Sequence, residues 1–155
     1  MTRKLAQYPF PYIGRIQPER DETGTIKEFA PHSGYRNVRR LLLHKYGAGP
    51  FCRFRIPRHF PFEGVYALLV NGSVAYVGEC MNLSSRFNTG YGQISPRNRY
   101  QGGQSTNCKI NHRVLEAAKR GNPIEIWFLQ TAYRKEVESE LTGGLKPPWN
   151  DQGTS

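Results

Sequence analysis

Gly64-Val65-Tyr66-Ala67-Leu68-Leu69-Val70-Asn71-Gly72-Ser73-Val74-Ala75-Tyr76-Val77-Gly78 carries the strongest structural signal in the chain. Two runs rich in β-branched and aromatic residues flank Asn71-Gly72, a dipeptide that tolerates the positive φ values of a tight turn. The pattern predicts an antiparallel hairpin from Gly64 to Val77. Register then decides which side chains meet, because successive strand residues point to opposite faces. A two-residue loop pairs Val70 with Ser73 and sends Tyr66 and Tyr76 to opposite faces. A three-residue loop, Val70-Asn71-Gly72, with Gly72 left-handed in a bulged turn, pairs Leu69 with Ser73 and sets the two tyrosines opposite one another. If both phenols serve one site, the loop is expected to have an odd length.

Beyond the hairpin, Asn82 is placed to cap a short helix carrying Arg86, and a loop rich in glycine and amides runs from Asn88 to Thr106. Ile110, Val114, Leu115 and Ala118 recur at helical spacing until Gly121-Asn122, and Ile124 to Leu129 reads as a third strand. A last helix is expected from about Tyr133 to Thr142, where Gly143-Gly144 and then Pro147-Pro148 stop it. Upstream, Glu22-Thr23-Gly24 lies between two strand-like runs and predicts a hairpin. From Tyr35 to Tyr46, Val38, Leu41 and Leu42 define the apolar side of a helix whose Arg36, Arg39, Arg40 and Lys45 lie mostly elsewhere. The expected fold is α/β (α+β): a small, mainly antiparallel three-stranded central sheet flanked by helices. Residues 1–60 form a basic hairpin-and-helix arm, and residues 61–155 the main domain.

The 155 residues, 37% of them hydrophobic, suffice for one core. Twenty-two Lys and Arg against 12 Asp and Glu leave a formal charge of +10, which favours polyanionic partners. Cys52, Cys80 and Cys108 are odd in number and far apart, which argues against a disulfide framework or a zinc cluster. No apolar run approaches the roughly 18 residues of a spanning helix. A soluble cytoplasmic protein without a membrane partner is expected.

The order Gly64-Val65-Tyr66, Tyr76-Val77-Gly78 and Arg86, at steps of ten residues, resembles the GIY-YIG endonucleases. So does the far end, where Glu138-x-x-Leu141 leads into Pro147-x-x-Asn150, as that family closes with a helical glutamate and then a proline and an asparagine. The two halves stand in the family's order and spacing, over rather more than half the chain. The resemblance implies a nuclease domain over residues 61–155, with Tyr66 as general base and Tyr76 as a phenol orienting water or phosphate. Glu138 would bind a single Mg²⁺, with Mn²⁺ a possible substitute, because a hard cation takes oxygen ligands and keeps several waters. Arg86 would clamp the phosphate through its permanently charged fork of donors. Asn150 would hold the site together or contact the phosphate.

Two positions depart from the family pattern. Glu79 stands where many members have lysine, and Gly90 where many place His or Tyr four residues after the arginine. Tyr91 or His112 could replace the latter, and Tyr91 is preferred. An ordinary phenol, with pKa about 10, is a poor base at neutral pH, so Tyr66 would need help from positive charge or metal-bound hydroxide.

The basic arm, through Arg36, Arg39 and Arg40, and the polar loop, through Arg97, Arg99, Gln104, Asn107 and Lys109, offer forks and charges to a duplex. The expected function is Mg²⁺-dependent cleavage of double-stranded DNA, with a restriction-type enzyme as first choice. A structure-specific repair or recombination nuclease, or an inert nucleic-acid-binding module, are the alternatives. A double-strand break by one such site calls for a homodimer or sequential nicking, and no segment advertises a dimer interface.

Overall fold

A computed structural model describes residues 1–30 and 42–151. The strands are β1 (Thr2–Leu5), β2 (Tyr8–Arg15), β3 (Gly64–Val70), β4 (Ser73–Cys80) and β5 (Ile124–Gln130). The helices are α1 (Leu83–Arg86), α2 (Ser105–Lys119) and α3 (Arg134–Leu145). All strand pairings are antiparallel, in the order β1-β2-β5-β3-β4. The α+β class is as expected, but the sheet has five strands rather than three. The two extra ones come from the N-terminal stretch, where Ala6, at φ 53°, turns β1 into β2 and β2 then pairs with β5.

The β3–β4 hairpin turns through two residues, Asn71 at φ 54° and Gly72 at φ 85°, and Val70 pairs with Ser73. By alternation alone this register would separate the tyrosines. Instead, Leu69 pairs with Val74 and Leu68 with Tyr76, so Ala75 is an extra, bulged residue that reverses the facing of all that follows. Tyr76 thus lies opposite Leu68, on the face shared by Tyr66, and the two rings are 6.1 Å apart. The odd-length loop is corrected, and the shared face is reached through the bulge.

Both faces of the sheet are covered, which explains why β3 is one apolar run rather than an alternating one. On one face Tyr66, Leu68, Ile126 and Phe128 join Ile110, Val114 and Leu115 of α2 in a core that also takes Cys52, Phe54 and Ile56. On the other, Val65, Ala67, Leu69 and Trp127 pack with Val137 and Leu141 of α3 and with Leu5 and Phe10. The stretch read as an arm therefore contributes two strands and several core side chains.

Other expectations shift in detail. The Glu22-Thr23-Gly24 turn forms, with Asp21 Oδ1 accepting from the Thr23 and Thr25 amides at 2.9 and 3.1 Å. Its flanks meet only at the Arg20–Ile26 bridge, so no hairpin strands extend from it. Most of the helix expected over Tyr35 to Tyr46, with Arg36, Arg39 and Arg40, lies outside the described residues. Leu42 to Tyr46 are not helical; they form a turn in which Leu43 bridges to Tyr100. The loop expected from Asn88 contains a π-helical turn, Phe87–Tyr91, and a 3₁₀ turn, Pro96–Arg99. α3 continues through Gly143-Gly144 to Leu145, and Lys146, left-handed at φ 47°, ends it just before Pro147. Among the described residues no helix is long and apolar enough to cross a membrane.

Candidate active site

The two glycines of the paired tyrosine motifs are explained by close approach. A β-carbon on Gly78 would lie 2.3 Å from Tyr66 Oη, and one on Gly64 would lie 2.1 Å from the Leu129 carbonyl oxygen. Gly78 therefore leaves the room in which the Tyr66 ring rests across β4, and Gly64 lets β5 come close.

Tyr66 is 1% exposed and its hydroxyl is 2.5 Å from that of Tyr91. Tyr91 also meets Tyr76, with the rings edge to face at 6.3 Å, and Arg86, whose guanidinium lies 6.0 Å from its ring centre, making it the hub of a cluster of three phenols and one guanidinium. The backbone explains how Tyr91 reaches this place. Asn82 Oδ1 caps α1 by accepting from the Ser85 amide at 3.0 Å, and the chain then widens into the π turn, closed by Gly92 N–H donating to the Phe87 carbonyl. A π turn takes one more residue than an α turn. The residue five after Arg86 therefore falls where the residue four after it would stand in a regular helix, and Gly90 is passed over. His112 is remote from this network, on the surface near the Pro50 carbonyl and Glu116.

Glu138 comes from α3 beside the open edge of β4. Its carboxylate accepts from the backbone N–H of Glu79, and the Glu138 and Arg86 charges interact. Burial, and then the neighbouring Glu79, raise the Glu138 pKa above the usual carboxylate range, against the opposing pull of that hydrogen bond and of Arg86. The Glu79 carboxylate itself is ion-paired with Arg134, which also holds Glu63 at 3.3 Å. Glu79 is thus neutralised by the first turn of α3.

Asn150 is where the sequence left two roles open, and its side-chain amide is hydrogen-bonded to backbone. Val77 N–H donates to Asn150 Oδ1 at 3.0 Å, and Asn150 Nδ2 donates to the Val77 carbonyl at 2.8 Å. One residue earlier, Trp149 N–H donates to the carbonyl of the bulged Ala75 at 2.8 Å. These three bonds fasten the C-terminal segment along the edge of β4 on either side of Tyr76.

The phenols differ in access. Tyr76 lines a cavity of about 290 Å³ together with Glu138, Thr106, Lys109 and Asn150, whereas Tyr66 is sealed behind it. Desolvation, reinforced by the neighbouring phenols, raises the pKa of both above 10 despite the opposing effect of Arg86. Both are therefore neutral at physiological pH and suited to donating or relaying hydrogen bonds. Burial stands against Tyr66 as a base that touches water or substrate.

Among the described residues no three His, Cys, Asp or Glu side chains converge on a metal position. One half-buried carboxylate at the wall of a cavity fits a Mg²⁺ that keeps most of its ligands as water and phosphate oxygens, and a cation would relieve the desolvation of Glu138.

The residues expected to touch DNA are divided by the structure. Gln104 and Asn107 line a cavity of about 440 Å³ beside Arg86 and Gly90. Arg97 is exposed, with Nη1 donating to the Gln101 carbonyl at 3.2 Å. Arg99 is a correction: it is 6% exposed and Nε donates to the Gly47 carbonyl at 2.7 Å, so its guanidinium braces the turn before Pro50 and is not presented to a duplex. Lys109 is not on a loop, since α2 begins at Ser105 and turns it into the Glu138 cavity. The bulge, the π turn and the Glu79–Arg134 pair were missed from sequence. The Gly90-Tyr91 offset was the one visible sign of the π turn.

No protein-family model matches the chain, and no curated protein is significantly similar to it in sequence. Among solved structures, a mutant of bacteriophage T4 EndoII superposes with a TM-score of 0.52 at 22% identity, over 72% of this chain and 87% of that one. The chain therefore shares the fold of T4 EndoII.

Proposed function

We propose that this chain is a Mg²⁺-dependent endonuclease that hydrolyses phosphodiester bonds of double-stranded DNA, with Mn²⁺ able to replace Mg²⁺. The observation that carries the reading is the convergence of Tyr76 from β4, Arg86 from α1 and Glu138 from α3, backed by the Tyr91 hub, on a fold shared with an endonuclease. A bound Mg²⁺ would be held by Glu138 and would supply the Lewis acidity that a phosphate ester needs. Arg86 grips nonbridging oxygens, since its guanidinium stays charged at any working pH. Tyr76, the phenol that lines the cavity, orients the water or phosphate, while Tyr91, itself hydrogen-bonded to Tyr66, backs its ring. Asn150 is a positioning residue that fixes the edge strand carrying Tyr76.

Gln104 and Asn107, in the cavity adjoining Arg86, have amides suited to base edges, which supports a restriction-type enzyme reading a short sequence. The test is incubation of supercoiled and branched DNA with the purified chain, with Mg²⁺ or EDTA, beside Glu138→Ala and Arg86→Ala. Discrete metal-dependent fragments, lost in both variants, are expected. Cutting of branched DNA alone would make it a structure-specific nuclease, and binding without cutting would leave an inert module.

A further inference from the structure

Lys109 is a charge in an unusual position. Its side chain is 8% exposed, yet the carboxylate it meets, Asp151 Oδ1 at 2.8 Å, belongs to a side chain that is 87% exposed. Burying an ammonium is costly unless it is well paired, and a partner left in water contributes little to hold it. Asp151 follows Asn150 directly, so only the end of the β4 clasp brings it there. Lys109 opens onto the same cavity as Tyr76 and Glu138. The result is a desolvated cation at the wall of the site, covered by a carboxylate that solvent surrounds.

Resting on the nuclease reading above, we propose that Lys109 is a second phosphate-binding cation of the site, with Asp151 as a placeholder. The Asp151 carboxylate stands where a nonbridging oxygen of the bound phosphodiester docks, and it swings out when DNA enters. Carboxylate and phosphate oxygens accept from an ammonium at the same distance of about 2.8 Å, so the exchange asks no movement of Lys109. Arg86 and Lys109 then hold the phosphate from α1 and α2. Lys109 reaches the cavity from α2, and its charge offsets that of Glu138, which would otherwise repel a phosphate.

Binding of a short DNA duplex in EDTA, measured from low to high salt, and single-turnover nicking of plasmid in Mg²⁺ are compared for the native chain, Lys109→Met and Asp151→Asn. Thermal unfolding is followed for each. Lys109→Met is expected to lower the slope of log affinity against log salt by about 1 and to slow nicking about 100-fold. Asp151→Asn, which removes the competitor, is expected to tighten binding several-fold without slowing nicking. Equal losses of thermal stability in the two variants, with salt slope and nicking unchanged, would mark a merely structural ion pair and overturn the proposal. Weaker binding by Asp151→Asn would also overturn it, and that variant decides alone if Lys109→Met does not fold. If the native chain binds DNA but never cuts it, the nuclease reading fails, while the EDTA slopes still decide whether Lys109 takes a phosphate.

Discussion

Replacing Asn150 by alanine separates a structural clasp from a phosphate contact. The side chain makes two hydrogen bonds, of 3.0 and 2.8 Å, to the N–H and C=O of Val77 on the open edge of β4. Each is worth about 0.5 to 1.5 kcal/mol net, so the substitution is expected to cost about 1 to 3 kcal/mol. For a chain of this length each kcal/mol moves the midpoint by about 2 to 4 °C, which predicts a fall in Tm of about 2 to 12 °C. The measurements are thermal unfolding by circular dichroism and amide exchange at Val77, whose protection should fall. Nicking should slow because Tyr76 loses its fixed strand, but the salt dependence of DNA binding should not change. Asn150→Asp adds a second check, because an ionised carboxylate faces the Val77 carbonyl. It should be at least as unstable as the alanine variant at neutral pH and recover as the carboxyl protonates. An unchanged Tm with a salt slope reduced by about one would refute the clasp and restore a phosphate contact.

Four further outcomes follow from the same geometry. Glu138→Gln should unfold at a higher temperature than the native chain at pH 7 while losing nicking. Its folded pKa is raised, so the ionised carboxylate opposes folding; that penalty is absent below the unfolded pKa of about 4.3 and full above the raised folded value. A lower Tm at pH 7, or an advantage that persists in acid, would contradict this. Gly78→Ala should push the Tyr66 ring from β4, at a cost of about 1 to 3 kcal/mol in denaturant unfolding and with loss of nicking. Deleting Gly90 should convert the π turn to an α turn with Tyr91 still beside Arg86, so measurable nicking should survive, whereas Tyr91→Phe breaks the hub and should abolish most of it. Tyr66→Phe should slow nicking less than Tyr76→Phe, because only Tyr76 lines the cavity; the reverse order would make Tyr66 the reacting phenol.

Features that rest on local chemistry are legible in the amino-acid order alone. Asn71-Gly72 specified the turn because only residues that accept positive φ fit it, and the long apolar repeats placed α2 and β5. The order of Tyr66, Tyr76, Arg86, Glu138 and Asn150 named the residues that the structure draws to one end of the sheet. Tertiary structure decided how they meet. Ala75 bulges because β4 is an edge strand whose spare carbonyl is taken by Trp149, a partner 74 residues away that no local pattern reveals. The five-stranded sheet required β2 to find β5 across more than a hundred residues, which composition alone cannot announce. Arg99 and Lys109 read as surface charges because they sit in polar sequence, yet packing turned one into a brace and the other into the site. Which face a side chain takes depends on register as well as on the turn before it, and in β4 the register was settled by a contact remote in the chain.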